Sequence, residues 1–260
     1  MGRPSVAAGL WGDLDFPQMS SAVEELSDFV DIRFTKAPGI TRENITIIDK
    51  ACCREMHLRS ESSLAASEPL SRLKSDLLNL INRHSVCVFA GSIPDGVSEE
   101  IICIVEAVKK AGAKIVVDTS GRPLREIVAA GGIEILKPNL SELCQLTGRK
   151  INDDTDEIAK SVKPLLKKAK IIAVTRGENG AVVVTQEHIL EGRCATENKV
   201  ISTVGCGDYF LAGFLCGKNL EDSLPKALKA AAARAWQDRR NWKALEEETA
   251  VKIQNNRLNS

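Results

Sequence analysis

An α/β fold with a largely parallel sheet is what this sequence predicts, from two observations. From about residue 70 onward, short β-branched runs ending in Gly, Asn or Thr alternate with longer stretches whose apolar residues recur at helical spacing. Strand–helix–strand alternation implies parallel strands joined by helices packed on the sheet. The composition, 43% hydrophobic and 27% charged, is that of an ordinary globular protein, and 260 residues suffice for a substantial core.

Taken in order, the predicted strands are SVCVFAG (85–91), AKIVVDTSG (113–121), IEILKPN (133–139), KIIAVTRG (170–177) and GAVVVTQ (180–186). Helices are predicted at SEEIICIVEAVKKAG (98–112), LSELCQLTG (140–148), TDEIAKSVKPLLKKA (155–169), DYFLAGFLCG (208–217) and LEDSLPKALKAAAARAWQ (220–237), several with acidic starts and Lys or Gly at the end. The first 70 residues differ. SVAAGLW (5–11) and SAVEELSDFV (21–30) read as helical, and ENITIID (43–49) with CREMHLRS (53–60) as a hairpin separate from the main sheet. The polar tail beyond Trp236 reads as a fraying helix and a solvated face. The expectation is a single domain over 1–260, with a lid at about 30–60 and a tail at 237–260.

Lys plus Arg and Asp plus Glu both number 35, so the formal net charge is zero. A nucleic-acid or membrane-surface partner, which calls for a basic excess, is therefore not expected, and a small molecule is. Eight cysteines contain no CxxC pair and mostly occupy apolar runs, where reduced Cys behaves as a small hydrophobe. Cys52 and Cys53 are adjacent. The three histidines lie far apart, which disfavours a structural zinc site. The first residues lack the build of a signal peptide, and no apolar run reaches membrane-span length, so a cytoplasmic protein is expected.

In parallel sheets ligands bind beyond the carboxyl ends of the strands. The stretch ISTVGCGDYFLAGFL (201–215) sets Gly205, Cys206 and Gly207 before Asp208 and an apolar helix. Glycines let successive backbone N–H groups converge, and a helix N-terminus adds partial positive charge. Together they can hold an anion and stabilise charge that develops during group transfer. A carboxylate beside them can take a proton from an attacking hydroxyl, and phosphoryl transfer to an alcohol needs both parts. On the tetrapeptide alone the simpler reading of Asp208 is a helix cap. No Gly-x4-Gly-Lys-Ser/Thr motif exists, which excludes a P-loop.

The whole stretch 202–215 resembles the C-terminal signature of the PfkB-type carbohydrate kinases of the ribokinase-like superfamily, with Cys206 where that family has alanine. AGSIPDG (90–96), VVDTSG (116–121), KPNLSEL (137–143), VTRGENGAVV (174–183) and TRENITIID (41–49) resemble further family segments in the family's order. The nearest branch is that of the 1-phosphofructokinases and tagatose-6-phosphate kinases. The resemblance implies a ribokinase-like three-layer sandwich with a small β-lid, using ATP and Mg²⁺. It implies Asp208 as base and the 205–207 turn as anion hole. Lys137, Asn139, Thr175, Gly177 and Gly180 would bind nucleotide, and Glu142 would place Mg²⁺ through water. Arg42, Asn44 and Ser92 would face a sugar phosphate, Arg42 holding the phosphate already present. Each residue has a plainer reading too: Pro94 and Gly96 as a turn, Asn139 as a helix cap, Arg42 as a surface residue of a strand.

The chain start, Met1 to Ala8, resembles the second half of the family's N-terminal turn and its helix, with Arg3 and Pro4 replacing Lys-Gly. The first family strand, with its sugar-binding aspartate, has no counterpart. Two rivals to the sugar-phosphate kinase stay open at this point: a kinase of an unphosphorylated sugar or nucleoside, and a non-catalytic binding remnant. The exposed lid makes a homodimer through the lid an expectation as well.

Overall fold

The structure is a computed structural model. It describes residues 4–23, 28–49, 54–60, 63–93, 95–196, 198–236 and 249–257. The sequence expectations on Arg3, Cys52, Cys53, Pro94 and 237–248 lie outside them. The chain divides into two compact units, Met1–Ile47 with Met56–Gly132, and Ile48–Glu55 with Ile133–Ser260.

In the first unit, β1 (Ser5–Gly12) pairs in parallel with β2 (Val30–Ala37), and α1 (Phe16–Val23) lies between them in sequence. The stretch SVAAGLW is thus a strand and not a helix. Its small residues Ala7, Ala8 and Gly9 give almost no periodic signal, and Gly9 disfavours a helix by about 1 kcal/mol. Pairing with β2 decides the matter: Gly9 makes room for the Phe34 ring, which in turn meets Trp11 at 5.4 Å between centroids. Of the helix expected at 21–30, residues 21–23 belong to α1, 24–27 lie outside the described residues, and Val30 is already in β2. The predicted hairpin forms from β3 (Asn44–Asp49) and β4 (Arg54–Arg59) as a separate two-stranded sheet.

The first unit continues with α2 (Ser67–Leu80), β5 (Val86–Ala90), α3 (Ser98–Lys110), β6 (Lys114–Asp118) and α4 (Gly121–Ala130). β5 and β6 pair in parallel, as a strand–helix–strand unit must. Ile104, Val105 and Val108 of α3, Ile115, Val116 and Val117 of β6, and Leu124 and Ile127 of α4 are buried. Each such side chain contributes about 1.5–3 kcal/mol.

The second unit holds β7 (Ile133–Leu136), α5 (Leu140–Thr147), α6 (Thr155–Val162), β8 (Ala169–Thr175), β9 (Ala181–Val184), β10 (His188–Cys194), α7 (Cys206–Leu215), α8 (Leu220–Ala235) and β11 (Val251–Arg257). β7 and β8 are parallel, and β9 runs against β8 and β10. All four residues of β9 are buried, the signature of a strand covered on both faces. Along the hydrogen-bonded sheet the strand order is β11-β10-β9-β8-β7-β6-β5, so the fold is α/β with a mostly parallel seven-stranded sheet, as the sequence predicts.

The tail departs from expectation. Residues 251–257 form β11, antiparallel to β10, where a helix is predicted. Ile253 packs over Gly192, at 2.5 Å from the point a side chain there would occupy, so the partner strand supplies the order. Among the described residues no helix is long and apolar enough to cross a membrane.

Candidate active site

The carboxyl ends of β7 and β8 are held side by side. Thr175 donates its backbone N–H to the Pro138 carbonyl at 3.0 Å, and Asn139 bridges Thr175 in parallel. Lys137, Asn139 and Thr175 therefore share one strand-end surface. Asn139 caps α5: its side chain accepts from the Glu142 N–H at 2.8 Å, and the Glu142 carboxylate accepts from the Asn139 N–H at 2.9 Å. This reciprocal box stabilises the helix start, so one reason for both residues is local. Lys137 is only 5% exposed, and buried lysines are found where an anionic or polar partner receives them.

The turn before α7 has the geometry the glycines foretell. Gly205 sits at φ 80°, ψ 0°, in the left-handed region, as the residue preceding the helix. Cys206 N–H bonds back to the Thr203 carbonyl at 3.2 Å, and Tyr209 N–H to the Gly205 carbonyl at 3.0 Å. The N–H groups of Gly205, Gly207 and Asp208 reach no acceptor among the described residues. These open donors, with the helix dipole behind them, make a surface for an anion. Cys206 is not among the open donors, since its N–H is engaged within the loop.

Asp208 is exposed, in the first turn of α7, with Oδ2 3.8 Å from the point a Gly205 Cβ would fill. The Lys137 ammonium lies 3.2 Å from the corresponding point on Gly207. The glycine there leaves room for the cation to approach the turn. The loop is anchored from behind by Ile201 and Ser202, whose N–H groups both donate to the Ala235 carbonyl at the end of α8.

That anchorage brings in a residue the sequence reading missed. Arg234, in the last turn of α8, has Nε 3.3 Å from the Gly205 Cβ point, and its guanidinium stands 6.0 Å from the centre of the Tyr209 ring. In sequence it is one basic residue in an alanine-rich helix end, where a cation is expected for the helix dipole alone.

Gly177 and Gly180 both hold positive φ, 60° and 81°, in the turn from β8 to β9. A Cβ on Gly177 would meet open space, whereas one on Gly180 would strike the Gly192 carbonyl of β10. Packing alone therefore requires Gly180. Directly before Gly177, Arg176 is 5% exposed along its side chain and pairs with Asp153 at 3.2 Å and Glu191 at 2.6 Å, while donating to the Asn179 carbonyl at 2.9 Å. Burial would raise the Glu191 carboxyl, but the hydrogen bond and charge of Arg176 outweigh it and hold the group below its ordinary value.

In the first unit, the loop after β5 is tied to the end of β6. Gly91 N–H donates to the Asp118 carbonyl at 3.2 Å, and the Thr119 hydroxyl donates to the Gly91 carbonyl at 2.6 Å. Ser92 follows, and its hydroxyl accepts from Arg42 Nη1 at 3.4 Å. Residues fifty apart in sequence, both expected on the sugar side, are thus neighbours. Asn44 opens β3 and is exposed. Arg42 is steadied by Thr41, whose N–H and hydroxyl both donate to Asp15 Oδ1, at 3.0 and 3.2 Å, while Gly12 N–H donates to the Thr41 hydroxyl. Partial burial of Asp15 opposes ionisation, yet the Thr41 donors prevail and its carboxyl lies below the usual value.

Among the described residues no group of three or more His, Cys, Asp and Glu could cage a metal ion.

The chain matches a family model described as pfkB family carbohydrate kinase over residues 22–237. It is 30% identical over 243 residues to 1-phosphofructokinase of Borreliella burgdorferi, covering 90% of this chain and 76% of that protein. It is 27% identical over 237 residues to tagatose-6-phosphate kinase of Staphylococcus epidermidis, covering 89% and 74%. In structure it resembles phosphofructokinase-2 of Escherichia coli, solved with fructose-6-phosphate, at a TM-score of 0.84 and 22% identity over 94% of this chain and 81% of that one. With the family match spanning most of its length, this chain belongs to the pfkB family of carbohydrate kinases.

Proposed function

We propose that the chain transfers the terminal phosphoryl group of ATP to a hydroxyl of a ketohexose phosphate, of the fructose-1-phosphate or tagatose-6-phosphate type. The observation that carries this is the turn at 205–208: open amides at a helix mouth, beside Lys137, with Asp208 next to them. Asp208 takes the proton of the acceptor hydroxyl as its oxygen bonds to phosphorus, and the bond to the ADP oxygen breaks. Charge on the migrating group is met by the amides and by Lys137, fixed in place before the reaction. Thr175 and Gly177 flank the nucleotide at the end of β8. Glu142 is the hard oxygen donor suited to orienting Mg²⁺ through water, with Asn139 beside it, and the ion neutralises phosphate charge when bound.

Arg42 recognises the phosphate the substrate already carries, with Ser92 and Asn44 as polar neighbours. The fork of an arginine matches a phosphate dianion, and the two relatives named above are kinases of phosphorylated ketohexoses by their names. The β3–β4 lid also pairs with that of a second copy. Its support is the half-exposed apolar set Ile45, Ile47, Met56 and Leu58.

The test is ADP release with ATP, Mg²⁺ and a panel of hexose phosphates and free hexoses. Asp208→Asn is expected to lower kcat by roughly 10²–10⁴-fold with ATP affinity retained. Unaltered turnover in that variant removes the base assignment. Turnover restricted to free sugars would remove the sugar-phosphate reading.

A further inference from the structure

We infer that Arg234 is a phosphate-binding residue of this kinase, supplying a second fixed cation to the 205–208 turn and gripping the phosphate chain of the nucleotide. The inference rests on the phosphoryl-transfer reading of that turn. Lys137 stands against the Gly207 side of the turn and Arg234 against the Gly205 side, with Nζ and Nε 3.2 and 3.3 Å from the respective Cβ points. The turn is therefore flanked by cations at both glycines.

Three features separate Arg234 from an ordinary cation at a helix end. Its side chain is half-buried instead of extended into solvent. The guanidinium stands over the ring of Tyr209, the second residue after the open Gly207 amide, 6.0 Å from its centre and so near the helix mouth. It forms no ion pair among the described residues, although the Asp208 carboxylate borders the same glycine. A partly desolvated guanidinium beside unengaged N–H groups is a cluster of donors that the neighbouring Asp208 carboxylate does not pair with. A polyphosphate supplies acceptors for this cluster. Gly205 then has a second purpose: any side chain there would press on the guanidinium.

The experiment uses the full chain and compares Arg234→Gln and Arg234→Met with the parent protein. Arg234→Met keeps an unbranched apolar stem over Tyr209, so it separates charge from packing. Affinities are measured calorimetrically for Mg·ATP and for adenosine, which has the base and ribose but no phosphate. Loss of a charge-assisted bond predicts that both variants bind Mg·ATP about 10- to 100-fold more weakly, with adenosine affinity unchanged. Arg234→Lys, which keeps the charge and loses the fork, is expected to fall between. Unchanged Mg·ATP affinity in both variants overturns the inference. So does an equal loss for adenosine, which would make Arg234 a residue of the base pocket or of the fold. The binding contrast does not need turnover. Should no hexose phosphate be phosphorylated, the substrate reading fails while the ATP-against-adenosine comparison still decides the role of Arg234.

Discussion

Gly205 carries two constraints at once: a left-handed backbone and an arginine packed against the face where a side chain would start. Gly205→Ala is expected to lose about 1–2 kcal/mol from backbone strain, read as a lower midpoint in urea, and to weaken Mg·ATP binding as Arg234 is pushed away. At this scale the sequence was informative where a motif is contiguous. Asp208 and its glycines could be named because the residues that form the turn are adjacent in the chain. Asn139 and Glu142 were legible for the same reason, although their mutual capping gives them a structural task in addition to the one proposed. Arg234 was not legible. Its place beside Gly205 depends on how α8 ends against the 201–205 loop, where Ala235 accepts from Ile201 and Ser202, far away in the chain. Arg42 is an intermediate case, nameable from its strand but linked to Ser92 only by folding. Arg42→Gln is expected to raise KM for a sugar phosphate about 10- to 100-fold, with kcat for any unphosphorylated sugar untouched. Equal losses on both substrates would show that Arg42 does not read the phosphate.

The turn between β8 and β9 shows what an element asks of its neighbours. Arg176 joins Asp153, Glu191 and the Asn179 carbonyl, and so pins a turn that carries Gly177 and Gly180. Arg176→Met should loosen that turn and lower Tm, since removing one partner strands the carboxylates on the others. The pH dependence follows from Glu191. Its carboxyl is lowered in the folded chain relative to the ordinary 4.5, so its contribution is complete above that value and is lost as pH falls through the folded one. The Tm gap between parent and Glu191→Gln should therefore be widest near neutrality and close below about pH 4.5. A gap that stays constant on acidification would exclude Glu191 as the source. Elements with strong period were legible from sequence: β6, β8 and β9 as β-branched runs, α3 and α8 as amphipathic helices. Those whose identity comes from a partner were not. β1 is made of small residues and becomes a strand by pairing with β2, and β11 is a polar heptapeptide that becomes one by lying along β10.

For the molecule as a whole, the family signature and the alternation of strands and helices were enough to name the fold, because both depend on order along the chain. The lid was legible as a hairpin, but which of its faces is apolar emerges only from strand pairing. The Thr46 hydroxyl lies 3.2 Å from His57 Nδ1 on one face, leaving Ile45, Ile47, Met56 and Leu58 for the other. If two lids pair through that face, Ile47→Asp should shift the protein from dimer to monomer by sedimentation, at unchanged secondary structure. An unshifted boundary would remove the lid as the interface. The closing strand has a practical outcome of its own. Because β11 pairs along the edge of β10, Asn255 opposite Leu190 and Ile253 opposite Gly192, a polypeptide trimmed after residue 250 would bare a row of backbone donors and acceptors along β10. Such an edge recruits other chains, so shortening this protein at its carboxyl end to improve crystals or yield should instead produce aggregates.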